Sequence, residues 1–246
     1  MPTLLFKDIG LVKGVKFDSW RRTGSAMQAI KVYNLREVDE IFFVDINANI
    51  DKRHPDFESI DELADECFMP MTVGGGVRTL EDIKKLLKVG ADKVTINTAA
   101  VENPDLIKKG SSQFGTQCIV VSIDAQRNNN GDYEVYTYSG TKSTGTDPVK
   151  HAQEVERLGA GEILLTSIEK DGTMEGYDVT LIKSVSEAVS IPVIASGGAG
   201  TYQHMVEVLQ EGKASAIAAA SIFHFTQQTP LEAKKYLAEK GFNVRL

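Results

Sequence analysis

The sequence predicts an α/β protein that forms a single (β/α)8 barrel, built from two duplicated half-barrels of about residues 1–117 and 118–246. Short apolar runs alternate with amphipathic stretches along the chain, as in consecutive strand and helix units. A glycine-rich segment at residues 72–77 has a counterpart at residues 194–200, which places Gly197 122 residues after Gly75 in a chain of 246. A repeat at half the chain length indicates an internal duplication.

The predicted strands are continuous apolar runs, which is typical of parallel strands covered on both faces. They are residues 3–6, 41–46, 71–73, 93–96, 119–123, 163–167, 192–195 and 214–219. Amphipathic stretches predict helices at residues 60–66, 80–89, 105–114, 148–158, 178–189, 201–211 and 230–240. Eight strands in about 250 residues suit one closed barrel. A doubly wound open sheet is the alternative, but two similar halves favour closure.

Two further pairs of segments repeat at the same spacing. Residues 40–45 align with residues 162–167, and residues 92–97 align with residues 214–219. Each half therefore contributes corresponding strands. After the fifth strand, residues 126–143 predict a small β-hairpin that turns at Asn130 and Gly131.

The composition describes an ordinary globular chain and argues against two classes of partner. Hydrophobic residues make up 42% and charged residues 25% of the chain, enough for a large core. A net charge of −7 provides no basic surface for phosphate backbones, so we expect no nucleic-acid partner. No apolar run approaches the roughly 18 residues of a membrane span, and the N-terminus lacks a signal pattern. We therefore expect a cytoplasmic protein.

Cysteine and histidine usage predicts neither a metal site nor a disulfide. Cys67 and Cys118 lie far apart without metal-ligand spacing, so we expect two small buried side chains in a reducing compartment. The histidines, which have no partner constellation, are His54, His151, His204 and His224. We accordingly expect no metal and no cofactor.

The carboxyl ends of barrel strands and the loops after them build the active site in this fold class. The candidates at these places are Lys7, Asp8, Asp45, Gly75, Gly76, Asn97, Thr98, Asp124, Thr166, Asp171, Gly197, Gly198 and Ser221. Both glycine loops precede helices, and backbone N–H groups can approach a phosphate closely where glycine has no Cβ. One such loop is explained equally well as a chain turn; two at matching positions predict a site for two phosphates.

Charged residues are predicted at both ends of the barrel. Asp124 ends a β-branched strand and is the candidate general acid or base. Asp45 occupies the equivalent place on the second strand, where a structural role is equally consistent with its position. Glu40, Lys93 and Glu162 begin their strands at the opposite end, where charges usually serve stability but could also gate something that enters from below.

Several stretches resemble the cyclase subunit of imidazole glycerol phosphate synthase, the HisF family. They are residues 72–77, 91–104, 159–168, 171–173 and 194–200, and the resemblance covers nearly the whole chain. It implies a duplicated half-barrel through which ammonia from a partner glutaminase subunit travels along the barrel axis. At the top face the ammonia would react with a ribotide that carries two phosphates, giving imidazole glycerol phosphate and an aminoimidazole carboxamide ribotide.

The resemblance also implies roles for individual residues. Asp124 matches one of two catalytic aspartates of the family. One phosphate would lie on Gly75, Gly76, Asn97 and Thr98, and the other on Gly197, Gly198 and Ser221. Substrate binding would also involve Lys13, on a mobile first loop, and Ser139, Thr166 and Asp171. Glu40, Lys93 and Glu162 match three members of a charged gate at the ammonia entrance.

Two departures from the family pattern concern the N-terminal segment. Alignment of residues 11–14 with the family's first loop puts Leu5 where the second catalytic aspartate belongs, and a leucine cannot transfer a proton. Asp8 matches a different acidic position. The fourth gate residue, an arginine, would lie before Met1, so either the natural chain starts upstream or this gate is incomplete.

These departures leave several functional hypotheses open. The chain is most similar to a divergent branch found with bacterial surface-polysaccharide genes, with the similarity carried by residues 4–8 and 66–70. The first hypothesis is an ammonia-using cyclase of the histidine pathway. The second is an ammonia conduit for amidino-sugar formation with impaired cyclase chemistry. A related isomerase is weakened by Leu5, and a pure binding module leaves Asp124 and the glycine loops unexplained.

Overall fold

The computed structural model describes residues 1–8 and 10–246, and its main element is a curled, mostly parallel sheet. The strands are β1 (Thr3–Lys7), β2 (Gly10–Val15), β3 (Asp18–Gly24), β4 (Ile41–Asp45), β5 (Met71–Gly74), β6 (Lys93–Ile96), β7 (Ile119–Arg127), β8 (Tyr133–Thr137), β9 (Lys142–Ser143), β10 (Glu162–Ser167), β11 (Val193–Ser196) and β12 (Ala216–Ile217).

The parallel strands pair in the order β1, β4, β5, β6, β7, β10, β11, β12. A parallel bridge between Pro2 and Ala219 links the two ends of this series. The amide of Thr3 donates a hydrogen bond of 3.0 Å to the carbonyl of Ala219 there. The sheet is compatible with the predicted (β/α)8 barrel, and every predicted barrel strand is present. The last strand is shorter than predicted, because only Ala216–Ile217 is regular.

Helices cover the outer face of the sheet. They are α1 (Ala26–Leu35), α2 (Phe57–Asp65), α3 (Leu80–Lys88), α4 (Thr98–Glu102), α5 (Asp105–Phe114), α6 (Pro148–Arg157), α7 (Val179–Ser186), α8 (Tyr202–Gln210), α9 (Ser221–Phe225) and α10 (Pro230–Glu239). A 3-10 turn spans Thr116–Cys118. The helix predicted at residues 105–114 has the predicted bounds, whereas α2 begins three residues earlier than predicted.

Neighbouring residues of one strand are buried on opposite sides of the sheet. In β4, Ile41 and Phe43 belong to the main apolar core, together with residues of the helices. Phe42, between them, belongs to a second cluster with Val120, Leu164 and Ile194 from other strands and with Ala218, directly after β12. Successive side chains of a strand point to opposite faces, so this second cluster fills the inner face. Burial on both faces explains why the strand sequences are continuously apolar.

Six helix N-caps fall into three pairs with one spacing. The caps Ser25, Asp56 and Thr79 begin α1, α2 and α3, and the caps Asp147, Asp178 and Thr201 begin α6, α7 and α8. Each cap of the second set lies 122 residues after its counterpart. In all six, the side chain accepts a hydrogen bond from the amide three residues later, as in typical N-caps.

Two hairpins project from the carboxyl ends of the sheet. The predicted hairpin after the fifth barrel strand is confirmed: β7 continues to Arg127 and pairs with β8 in antiparallel fashion. The β2–β3 hairpin and α1 were not predicted. Most of β3 is exposed, so β3 lacks the continuous apolar run that marks a buried strand.

The cysteine prediction needs a correction. Cys67 and Cys118 are free thiols and partly exposed rather than buried. Cys67 lies in the loop before β5, and Cys118 ends the 3-10 turn before β7. Among the described residues, helices are too short or too polar to span a membrane.

Candidate functional site

A cavity at the carboxyl ends of the parallel strands brings together residues from both halves of the sequence. The predicted residues that line it are Lys13, Gly75, Gly76, Asn97, Thr98, Asp124, Ser139, Thr166, Asp171, Gly197, Gly198 and Ser221, and Asp45 joins them. Leu5 lines the same cavity as Asp124. Apart from Lys7 and Asp8, the sequence candidates for this end of the barrel therefore share one site.

The charged residues Glu40, Lys93 and Glu162 lie outside that cavity and form a cluster of their own. Lys93 Nζ is 2.9 Å from Glu40 Oε1 and 2.8 Å from Glu162 Oε1. Thr72 Oγ1 donates a hydrogen bond of 2.8 Å to the Glu40 carboxylate. Burial alone lowers the pKa of Lys93, but hydrogen bonds and charges from Glu162 and Glu40 outweigh it, so the pKa is raised overall.

Strand β10 relates the charged cluster to the cavity. Glu162 begins the strand, and Leu164 and Thr166, two and four residues later, both line the cavity. Alternate residues of a strand share one face, and a parallel strand rises about 3.3 Å per residue. Glu162 thus lies on the inner face of the sheet, roughly 13 Å from Thr166 along the strand.

Asp124 is a buried carboxylate that ionises near neutral pH. It lies in β7, where the side-chain amide of Asn97 donates a hydrogen bond of 3.1 Å to its Oδ2. Burial, together with a smaller contribution from the negative charge of Asp171, raises the pKa of Asp124 from 3.8 to about 7. Such a carboxyl group is present in both protonation states near pH 7, as general acid–base catalysis requires.

Lys13 and Asp171 form a buried ion pair at the edge of the cavity. Lys13 Nζ lies 2.5 Å from Asp171 Oδ2, and the Lys13 side chain is 2% exposed. Lys13 was expected on a mobile loop, but it lies in β2. The backbone of the same hairpin is tied to Asp171 as well, because the amide of Lys16 donates a hydrogen bond of 2.8 Å to the Asp171 carbonyl.

The glycines of the two loops have backbone conformations and contacts that exclude larger residues. Gly75 has φ 102° and Gly198 has φ 108°, in the region that side chains other than glycine rarely adopt. A Cβ on Gly75 would collide with the backbone carbonyl of Asp45, and one on Gly198 with that of Gly176. The loops thus pack tightly against neighbouring loops and leave their backbone at the cavity surface.

Short helices begin beside each glycine loop. Thr98 is the first residue of α4, and its Oγ1 accepts a hydrogen bond of 3.1 Å from the amide of Tyr138. Ser221 is the first residue of α9 and is 5% exposed, and its Oγ has no hydrogen-bond partner within the described residues. Ser139 Oγ donates a hydrogen bond of 2.6 Å to the carbonyl of Ile46. Of these three hydroxyls, that of Ser221 is free for a ligand.

Asp45 has a structural role. Its Oδ1 accepts hydrogen bonds of 3.0 Å from the amides of Asn47 and Ala48, and its Oδ2 lies 3.1 Å from Arg53 Nη1. These contacts shape the loop after β4. Lys7 and Asp8, the remaining candidates, are not among the residues that line the cavity.

The histidines take part in helix and core structure. His54 Nδ1 is 2.7 Å from Asp82 Oδ1, and Asp82 belongs to the capping box of α3. His151 is buried in α6, and burial lowers its pKa. Neither residue lines the cavity.

Several cavity residues were missed by the sequence analysis. Thr95, Ser122 and Ser196 line the cavity from β6, β7 and β11. Their signal was available, because Thr95 and Ser122 lie two residues before the predicted site residues Asn97 and Asp124. Ser196 directly precedes Gly197. Phe17 and Trp20 also line the cavity, but they belong to the β2–β3 hairpin that the sequence did not predict.

Residues 1–229 match the family described as histidine biosynthesis protein. The chain belongs to this family. Its members are typically enzymes of histidine biosynthesis, and the match agrees with the resemblance to the cyclase subunit. The matched range contains the cavity residues as well as Glu40, Lys93 and Glu162.

Proposed function

We propose that this chain is the cyclase subunit of a glutamine-dependent imidazole glycerol phosphate synthase. It would use ammonia on a bis-phosphate ribotide to give imidazole glycerol phosphate and aminoimidazole carboxamide ribotide. The observation that carries the proposal is the cavity in which Asp124 shares one space with two glycine loops. Two phosphate sites and an acid–base group in one cavity suit a reaction on the middle of a bis-phosphate ligand.

The two phosphates would bind at the glycine loops. Backbone amides of Gly75 and Gly76 would hold one of them, with Asn97 and Thr98 beside it. The second would lie on Gly197, Gly198 and Ser221. The unpaired Ser221 hydroxyl supports this assignment, because a buried hydroxyl without a partner is costly unless a ligand satisfies it.

Asp124 would transfer protons as the ammonia nitrogen adds and the imidazole ring closes. Its pKa of about 7 supports this role, since it can both take and return a proton near neutral pH. Asn97 would orient the carboxylate through its hydrogen bond to Oδ2. Lys13 and Thr166 would contact the ligand between the phosphates. Leu5 supplies no second proton-transfer group, so we expect slow chemistry.

Ammonia would come from a glutaminase subunit docked at the amino-terminal ends of the strands. Glu40, Lys93 and Glu162 would form the gate there. The apolar cluster around Leu164 lies between this gate and the cavity, and a neutral ammonia molecule can pass apolar side chains that an ammonium ion cannot.

We also propose that the fold is a closed barrel that arose by duplication of a half-barrel. The bridge between Pro2 and Ala219 supports closure. The N-caps repeated at a spacing of 122 residues support duplication, because unrelated halves would have no reason to start three successive helices at one offset.

The proposal is tested by incubating the purified chain with an ammonium salt and the bis-phosphate ribotide. We expect imidazole glycerol phosphate and aminoimidazole carboxamide ribotide in equal amounts. A lack of turnover at high enzyme concentration would reject the cyclase activity.

Leu5 favours a second candidate. A chain that binds phosphates and passes ammonia but lacks one proton-transfer group could deliver ammonia to a sugar-modifying enzyme that makes amidino sugars. Complementation of a histidine auxotroph that lacks its own cyclase separates the two. Growth supports the first candidate and rejects the conduit as the sole function.

A further inference from the structure

The single tryptophan of the chain, Trp20, lines the cavity although it lies in an otherwise exposed strand. Its neighbours in β3, Ser19 and Arg21, are both exposed, whereas Trp20 is partly buried. A large aromatic side chain that lines a cavity is available for contact with a ligand.

A β-bulge directs Trp20 towards the cavity. Lys13 pairs with Arg21 and Val15 pairs with Asp18, so one residue of β2 faces two residues of β3. Ser19, one of these two, has φ 55°. Bulges of this kind change the direction of a side chain and are frequent beside active sites.

Gly14 makes room for the indole ring. A Cβ at Gly14 would lie 2.9 Å from Trp20 Cε3, closer than real Cβ atoms approach, so the ring edge rests directly on the backbone of β2. Lys7 Nζ lies 5.9 Å from the ring centroid. The indole is therefore held in place by the backbone of β2 and by the ammonium group of Lys7.

The hairpin that carries Trp20 is fixed to the rest of the site. The Lys13–Asp171 ion pair and the hydrogen bond from the Lys16 amide to Asp171 attach it on one side. At its tip, the Phe17 ring lies against Gly140, where a Cβ would be 2.8 Å from Phe17 Cδ2. Trp20 is thus a preorganised element of the cavity wall.

Trp20, Phe17 and Leu5 contribute apolar side chains to the wall of the cavity that the two glycine loops also line. We propose that Trp20 is a specificity-determining residue that packs against the planar heteroaromatic ring of a ribotide held by the glycine loops. This inference rests on the proposed function, since the phosphate loops must first hold the ligand. Such a wall favours a ligand with an aromatic ring over a sugar phosphate of the same charge.

The test compares two ligands by calorimetry: aminoimidazole carboxamide ribotide, which has the ring, and ribose 5-phosphate, which lacks it. We expect Trp20→Leu to weaken binding of the ribotide about tenfold, because stacking on one aromatic side chain has roughly that effect. Binding of ribose 5-phosphate should change less than twofold. Trp20→Phe keeps a ring and should restore most of the affinity, which also controls for damage to the hairpin.

Fluorescence of the wild-type chain gives a second measurement, because Trp20 is its only tryptophan. Its emission should change with the ribotide and not with ribose 5-phosphate. Equal weakening of both ligands in Trp20→Leu, or no weakening of either, would overturn the inference while the proposed function stands. If the wild type binds neither ligand, the phosphate site of the proposed function fails as well.

Discussion

The side-chain amide of Asn97 donates a hydrogen bond of 3.1 Å to Oδ2 of Asp124, and the same amide also donates one of 3.0 Å to the carbonyl of Ser122. The amide is thereby fixed between two acceptors on β7. Asp124 is held in one orientation in a buried place, where its pKa is raised to about 7. The site thus contains one oriented acid–base group, with Leu5 in the same cavity.

Replacement of Asp124 by asparagine should change how stability depends on pH. Its pKa rises from 3.8 in the unfolded chain to about 7 in the native protein, so the native state binds this proton more tightly. Wild-type stability should therefore fall between about pH 4 and pH 7 and then level off. The asparagine in Asp124→Asn cannot ionise. The free energy of unfolding of this variant should therefore equal that of the wild type near pH 4 and exceed it by up to roughly 4 kcal/mol at pH 8.

Urea denaturation of both proteins across this pH range measures the difference. If the free energies of unfolding of the two proteins differed by the same amount at every pH, the pKa of Asp124 would not be raised in the native protein.

A second aspartate at position 5 should accelerate the proposed chemistry. Leu5→Asp would place a carboxyl group in the cavity that already contains Asp124. A positioned acid–base group contributes about 10²- to 10⁴-fold in rate, so a gain within that range is expected. Leu5→Asn is the matched control, with the same shape and no proton to transfer. Equal ammonium-dependent rates for the two variants would contradict the role assigned to this position.

The hydroxyl of Ser221 should matter for phosphate binding and not for stability. Ser221→Ala removes a buried hydroxyl without a partner, so the free energy of unfolding should stay the same or rise by about 1 kcal/mol. Phosphate affinity should fall about tenfold, since one hydrogen bond to a charged group is lost. Ser186 also has a buried, unpaired hydroxyl, but it ends α7 and does not line the cavity.

Ser186→Ala is therefore the matched control, expected to have the same effect on stability and none on binding. Titration with inorganic phosphate and with ribose 5-phosphate, followed by calorimetry, measures both variants. Loss of phosphate affinity in Ser186→Ala would mean that the effect is not local to the cavity.

Lys93 should contribute to the stability of the protein through its ion pairs with Glu40 and Glu162. Lys93→Met leaves the carboxylates of Glu40 and Glu162 close together without their shared cation, which should cost about 2 kcal/mol or more. Lys213→Met removes a lysine from an exposed pair with Glu187 and should leave the unfolding midpoint nearly unchanged. Thermal denaturation of both variants distinguishes them, and equal midpoints would contradict the importance of the cluster.

Much of the fold follows from local patterns in the sequence. Strand β6 and helix α5 have the predicted bounds, because a buried strand and an amphipathic helix both appear as periodic apolar patterns within one segment. The glycine loops were equally visible, since a glycine with positive φ at a close backbone contact has few substitutes. The spacing of 122 residues between the two loops led to the prediction that they occupy corresponding positions.

The missed features depend on contacts between distant segments. Lys13 is buried because Asp171, 158 residues later, supplies its counter-charge. Trp20 reaches the cavity through a bulge at Ser19, and no pattern of residue types in β3 indicates such a bulge. The raised pKa of Asp124 likewise results from burial and from the distant Asp171, whereas a hydrogen bond with its sequence neighbour Ser122 lowers that pKa.

The ammonium-dependent turnover of the bis-phosphate ribotide by the purified wild-type chain, measured beside Asp124→Asn, tests the central claim most directly. The account predicts slow formation of imidazole glycerol phosphate and aminoimidazole carboxamide ribotide in equal amounts, and loss of both products in Asp124→Asn. A wild-type chain that binds the ribotide but forms no product at high enzyme concentration would contradict it.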